Sequence, residues 1–384
     1  MSDGMSGTFT LAERAAVLAV GIVGVLIAGL QPQLLGALAV EGRVGESLLG
    51  HVATAELLAM GIAAGAAGLV LPITRLRVTA GVAIAVAVVL DLLTPGMTGG
   101  ALVAIRAATG LAEGVLIWLA IGLIVRSAEP ARMSGIYLAT QTLAQFAIAT
   151  LLGVWVIPAA GAPGGFAALA VASLIGLVAV PWMPRRYQPL DREPGAAPMP
   201  VPLRGAVALA GVVLYLAFVV AVWVYVEPLA AERGIGARAI AVIAPLSLAM
   251  QVVGAGLATL LAGRVRALPT LLAVGVANLL LLGAMATVTS ATAFIVATSV
   301  FGFLWLFALP FQVPVVIAAD PSRNAAALIG GAQLVGASMG PFTAALLLGS
   351  GSVQPVLWFG AACIVAALVL TLLASMRGAG ASAG

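Results

Sequence analysis

About twelve apolar runs fill this chain, and their spacing repeats, the second half echoing the first at an offset of roughly 190 residues. Glu129-Pro130-Ala131-Arg132 recurs as Asp320-Pro321-Ser322-Arg323, each between two long apolar runs and each followed by an amide, Gln141 and then Gln333. Arg75-Leu76-Arg77 recurs likewise as Arg264-Val265-Arg266. A chain with this period is built as two related halves of six spans each.

The runs are about 20 to 28 residues long, enough to cross a hydrocarbon core of roughly 30 Å at about 1.5 Å per residue. Apolar residues make up 63% of the chain and charged residues 8%. Soluble domains have roughly 45–50% and about 25%, so this chain could not cover itself with polar surface in water. It reads as an all-α integral membrane protein. Its 46 glycines and many alanines suit closely packed membrane helices, whereas barrel strands would alternate polar and apolar residues. The first run ends in Ala37-Leu38-Ala39, which mimics a leader-peptide cleavage site. Asp3 and Glu13 precede it, however, and the stretch from Ala15 to Val40 is too long for a leader's core, so it is expected to be the first span.

The expected spans are 12–40, 47–70, 77–93, 99–125, 133–157, 163–183, 204–228, 238–262, 268–289, 291–318, 324–348 and 354–376. Residues 184–203, proline-rich and charged, form a short solvated linker between an N-terminal six-helix bundle (1–183) and a C-terminal one (204–384). With both termini in the cytoplasm, the inner loops and ends hold 13 arginines and the outer loops only Arg43, Arg233 and Arg238. That bias follows the positive-inside rule and sets the expected orientation. The expected location is a plasma membrane, a bacterial inner membrane, with the protein as a monomer in the lipid bilayer.

Few ionisable residues lie well inside a span: Glu56, Arg106 and Glu113, with Asp91, Glu227 and His51 nearer the outer ends. Each costs at least about 2.5–3.5 kcal/mol alone at mid-bilayer, so such groups face a cavity or a partner. Arg106, Gly110 and Glu113 share one face of span four, and Gly114 extends a small-residue patch on which a neighbouring helix can close. Spans two and four run in the same direction, which puts Glu56 and Arg106 at similar depth; an Arg106–Glu56 or Arg106–Glu113 ion pair is expected. Arginine stays protonated at any relevant pH, whereas a carboxyl group can load and unload a proton as its surroundings change. Glu113 or Glu56 is thus the candidate proton carrier and Arg106 the gate or anchor; a static ion pair holding helices together is the alternative.

Amides and aromatics recur near mid-span: Gln31, Gln33, Gln141, Gln145, Tyr215, Trp223, Gln251, Trp305, Gln312 and Gln333. Such groups suit a moderately polar, largely apolar organic ligand, and equally serve as interhelical glue. Trp182, Trp223 and Trp358 are also candidate interface anchors. Pro32, Pro158, Pro245, Pro310, Pro314 and Pro341 interrupt spans and predict kinks.

Enzyme chemistry finds no footing. One cysteine (Cys363) and one histidine (His51) leave no metal centre, and no cofactor is expected. All 17 basic residues are arginine, so a phosphate-cradling loop that needs lysine is absent, and a net charge of +4 is no nucleic-acid footprint.

Over essentially its whole length the chain resembles the major facilitator superfamily. Span four's Arg106-Ala-Ala-Thr-Gly110-Leu-Ala-Glu-Gly114 is similar to that family's R-x-x-x-G-x-x-x-G signature, associated in proton-coupled members with proton transfer. The family's loop signature after span two is eroded: Gly68 begins it, Pro72 replaces the aspartate, and only Arg75 and Arg77 keep the charge. The copy after span eight keeps Gly256 and Gly263-Arg264, with Leu260 where an acid is common. Gly336-Ala-Ser-Met-Gly340-Pro341 in span eleven is similar to an antiporter signature expected in span five. The resemblance implies two pseudo-symmetric six-helix bundles and a central cavity that Gln31, Arg106, Glu113, Tyr215 and Trp305 are best placed to reach. Arg75, Arg77, Glu129, Arg132, Gly263, Arg264, Asp320 and Arg323 fall in its conformational loops.

These features together predict a secondary transporter, driven by protons, that moves a small amphipathic or aromatic organic compound, with efflux favoured. Import of an organic anion anchored by Arg106 is the first alternative. A non-transporting membrane sensor on the same fold is the second, since fold alone does not set function.

Overall fold

The computed structural model describes residues 9–127, 130–188, 201–261, 263–321, 324–348 and 352–376, and within them the side chains other than those of Leu69, Pro130, Ala131, Arg132 and Ala327. Every regular element among these residues is a helix. Span one is Leu11–Val40. Then come spans two (Glu46–Val70), three (Leu76–Leu93), four (Gly99–Ile124) and five (Pro130–Leu151), the last continued by a wide π-turn at Leu152–Val156. Spans seven to twelve are Leu203–Glu232, Ile243–Leu261, Ala267–Thr287, Ala291–Ala319, Ile329–Leu347 and Pro355–Ser375.

Among the described residues ten stretches are long and apolar enough to cross a bilayer, and one of them, Met133–Trp182, runs for 50 residues. That stretch holds two spans. Tyr137 Oη donates to Gly21 O (2.9 Å), Gln145 Nε2 to Val25 O (2.7 Å) and Gln33 Nε2 to Ala149 O (3.1 Å), so span five runs parallel to span one. Beyond the turn, Gly165 lies against Leu34 and Gly176 against Val23, the antiparallel register. The chain reverses at Gly161, whose φ of +61° is open to glycine at little cost. Span six therefore follows this turn. Ile329–Leu347, diluted by glycine and Gln333, is not among the ten apolar stretches and completes the twelve spans.

Two matching clips tie each half together at its span ends. Glu41, at the end of span one, accepts from Ala162 N (2.6 Å) at the start of span six. Glu232, at the end of span seven, accepts from Val353 N (2.8 Å) and Ser352 Oγ (2.7 Å) at the start of span twelve. Both partners are displaced by 191 residues, from 41 to 232 and from 162 to 353, the offset of the sequence repeat. Each carboxylate meets a backbone N–H at or just before a helix start, where no intrahelical acceptor is available. Glu41→Ala is expected to lower the stability of the purified protein by about 1–2 kcal/mol, read as a drop in its unfolding temperature. An unchanged midpoint would mean that the clip is not formed in solution.

By packing the chain divides into two units: the described residues of Met1–Glu193 with Ala237–Ala249, and those of Pro194–Gly236 with Met250–Gly384. In the first, span four is central, set against spans one, two and three. In the second, span seven takes that place, against spans ten, eleven and twelve. Spans three, six, nine and twelve leave apolar side chains bare, among them Val82, Ile175 (69% exposed), Leu280 (71%) and Leu373. Faces of that kind are stable against lipid and not against water. Trp182 and Trp358 are exposed, as interface anchors would be; Trp223 is buried, which corrects its candidacy as an anchor.

Two further expectations are revised. Span one breaks at Gly24–Val25, well ahead of Pro32, where Gly24 lies against Glu113 O and Leu116 Cβ and the Gln145 amide satisfies Val25 O. The start of the linker is also not solvated. Tyr187 is buried and donates to Leu119 O (2.6 Å), its N–H reaches Ile73 O (2.9 Å), and Arg126 lies over its ring at 4.9 Å. A tyrosine with an apolar ring and backbone partners on span four and in the turn before span three straps residues 183–188 across this end of the bundle.

Candidate functional site

Small residues bring spans two and four together. A Cβ on Gly110 would sit 2.2 Å from Glu56 O, and one on Gly114 would sit 2.2 Å from Met60 O. Both pairs advance by four residues, so the helices lie parallel in backbone contact along one turn. That contact carries Arg106, one turn before Gly110, directly onto Glu56.

The Arg106 guanidinium is completely buried. Its Nη2 donates to Glu56 Oε1, and its Nη1 donates to Asp91 Oδ1 (2.6 Å) and Thr94 Oγ1 (3.3 Å). Thr94 passes its own proton to Leu90 O (2.7 Å), and the Phe166 ring lies beneath the guanidinium at 5.4 Å. Gln31 Nε2 reaches the other oxygen of Glu56 at 3.4 Å. Planar arginine with five donors suits such a forked arrangement, and its delocalised charge tolerates an aromatic face.

Glu113 stands apart from this bonding. It is 3% exposed, lies within electrostatic reach of Glu56, Arg106 and Asp91, and its Oε2 has no hydrogen-bond partner among the described residues. Gln31 Oε1 is likewise without one. One cation thus faces three carboxyl groups in a region without water's dielectric. Three full negative charges there would be very costly, so the set has to hold a proton or recruit a positive group.

Of the residues singled out from sequence, Gln31, Glu56, Arg106 and Glu113 gather here, and the Arg106–Glu56 pair is the one expected from matching depths. Asp91, Thr94 and Phe166 were missed as site residues. Asp91 had a signal, an acid close to the end of an otherwise apolar run; nothing in the sequence pointed to Phe166. Gln145 holds span one's backbone, Gln141 is half-buried on span five, and both belong to the first unit.

In the second unit, Tyr215 donates to Leu304 O (3.1 Å), Trp223 and Trp305 meet edge to face at 5.8 Å, and Gln333 Nε2 donates to Gln312 Oε1 (3.3 Å). Gln251 is buried, and its Nε2 has no hydrogen-bond partner among the described residues. In the loops, Arg77 Nε donates to Met183 O (2.6 Å), Arg264 Nη1 to Leu260 O (3.0 Å), and Asp320 Oδ2 accepts from Ala325 N (2.8 Å). Arg75 precedes span three, and Gly263 turns with φ +75°. Arg77 and Arg264 thus serve helix-end carbonyls. Glu129, Arg323, the Arg132 side chain and linker residues 189–200 lie outside the described residues.

No protein-family model matches the sequence, and no curated protein matches it. Solved structures do. The nucleoside transporter NupG superposes with a TM-score of 0.70 at 10% identity, over 94% of this chain and 100% of that one. The D-xylose-proton symporter gives 0.67 at 16% identity, over 94% and 96%. The chain has the major facilitator fold. A bacterial homologue of the human lysosomal transporter Spinster, in an inward-facing and occupied conformation, gives 0.56 at 16% identity over 95% and 94%. In facilitator-fold terms the buried cluster sits on spans one to four and six of the N-terminal half.

Proposed function

We infer that the chain is a secondary transporter, coupled to protons, that carries a small amphipathic or aromatic organic compound by alternating access and works chiefly in efflux. The observation that carries this reading is the buried set of one guanidinium and three carboxyl groups, with Glu113 outside their hydrogen bonds and its Oε2 without a partner among the described residues. A fold shared with a nucleoside transporter and a sugar–proton symporter supports the transport part.

In this mechanism Arg106 stays charged and holds Glu56 and Asp91 through its two terminal nitrogens. Glu113 takes up a proton when its pocket is dry and releases it when the bundle's motion brings water or a cationic group close. The arrangement gives less support to import of an anion anchored by Arg106, because that guanidinium already holds two carboxylates and has no exposed surface. Membrane orientation, with both termini cytoplasmic, follows from the arginine bias.

Proteoliposomes test the reading. With an imposed pH difference and a panel of dyes, hydrophobic cations and organic acids, the wild type should show substrate-induced proton flux. Glu113→Gln should lose gradient-driven transport while still exchanging substrate for substrate, since a neutral amide fixes one protonation state. Gradient-driven transport intact in both Glu113→Gln and Glu56→Gln would overturn the proton-carrier role. A compound that stabilises the protein without ever crossing would favour the sensor instead.

A further inference from the structure

Spans one and five touch where Tyr137 meets Gly21, and a cavity of about 560 Å³ in the first unit runs along this stretch of the two helices, from Leu11 to Ile22 and from Met133 to Thr140. On span one it is lined by Leu11, Arg14, Ala15, Leu18, Ala19 and Ile22, the successive positions of one helix face. The eleven steps from Leu11 to Ile22, at about 1.5 Å each, make that wall roughly 16 Å long. Met133, Ile136 and Thr140 of span five face it, with Ser127 from the preceding turn.

The lining is apolar but for two hydroxyls and one charge. Ser127 Oγ donates to Ile124 O (2.7 Å) and Thr140 Oγ1 to Ile136 O (2.7 Å), so both protons are already used on nearby backbone carbonyls. Arg14 is the one ionisable residue of the lining. Its Nε donates to Phe9 O (3.0 Å). Its neighbours at this end are committed more fully: Arg126 donates to Gln188 O (2.7 Å) and Gly122 O (2.9 Å) and lies over the Tyr187 ring. The volume falls in the range of drug-sized ligand sites, roughly 300–1,000 Å³.

We propose that this wedge is a binding site, separate from the Arg106 cluster, for an amphipathic monoanion whose acidic head pairs with Arg14 and whose single apolar body lies along Leu18, Ile22 and Ile136. The charge selects the head. The apolar wall and its length select one short hydrophobic body. An anionic lipid would share this head chemistry, but the site is assigned to a free, water-borne amphiphile, because the cavity is of small-ligand size.

Three compounds with one aromatic body and different heads decide the matter: 2-naphthoate, 2-naphthol and 2-naphthylmethylammonium, added to the purified full-length protein in neutral detergent. Binding is read by thermal shift and by titration. Naphthoate should stabilise the protein most. Arg14→Gln should weaken naphthoate about tenfold or more, the expected loss of one charge-assisted contact, and bring the three compounds level. Ala19→Trp, which fills the wedge from its side wall, should abolish binding of all three, and Gly283→Ala, in the second unit, should leave naphthoate binding unchanged. Equal binding of the three heads, or naphthoate binding unaffected by Arg14→Gln and Ala19→Trp, would overturn the proposal. Displacement of naphthoate by anionic lipid in nanodiscs, and not in neutral ones, would assign the site to lipid and overturn the free-ligand assignment. These readouts need no gradient, so they stand or fall apart from proton coupling.

Discussion

Arg106→Leu is expected to be among the most destabilising single changes in the chain, costing about 3–5 kcal/mol. The figure reflects what remains behind rather than what is lost. Glu56 and Asp91 would stay buried, facing each other with no cation between them, and Thr94 would lose a donor. Thermal unfolding in detergent should show a large fall in midpoint and poor recovery of folded protein. Arg106→Lys should fall between, because one ammonium cannot fork to two carboxylates. The discriminating variant is the triple change Arg106→Leu with Glu56→Gln and Asp91→Asn. Removing all the charge together should restore most of the stability, since a buried ion pair often contributes little against a neutral replacement. If Arg106→Leu melts where the wild type does, the guanidinium does not hold those carboxylates.

The second large effect is expected at glycines that let helix backbones touch. In span eleven a Cβ on Gly336 would lie 2.2 Å from Val213 O, and one on Gly340 would lie 2.2 Å from Ala217 O, both on span seven. The facing atoms are backbone and cannot swing away. Gly340→Val should therefore force the two helices apart at a cost of about 1–3 kcal/mol or more, seen as a lower unfolding temperature and less folded protein. Gly110→Val should cost at least as much, because it also draws Arg106 away from Glu56. Gly283, with nothing within 4 Å of its Cβ position, is the control: Gly283→Ala should be neutral or stabilising by about 0.5–1 kcal/mol. Equal responses at Gly340 and Gly283 would show that the close approach is absent in solution. The antiporter-like signature Gly336-Ala-Ser-Met-Gly340-Pro341 thus has a packing explanation that does not depend on the direction of transport.

The same contrast runs through the candidate site. The depth of Glu56 and Arg106 could be counted along two helices known to run the same way, so their pairing was legible. Asp91 was visible as an acid yet not assignable, because its contact depends on how span three is rotated about its axis. Phe166 comes from a span 60 residues away whose start is set by the turn at Gly161. The clip from Glu41 to Ala162 was equally hidden, although its twin from Glu232 to Val353 obeys the repeat already visible in the loops.

Composition and period by themselves determined that this chain lies in lipid, that it is helical, and that it consists of two copies of one six-span design. Those properties follow from how much apolar surface must avoid water and from the length needed to cross a bilayer, and both are sums along the chain. Which side chains meet was decided only in three dimensions. A helix in hydrocarbon can turn any face to its neighbours, and small residues choose among those faces by allowing backbones to close to contact. At Gly110 that choice set Arg106 between Glu56 and Asp91 and left Glu113 without a hydrogen bond for one of its oxygens.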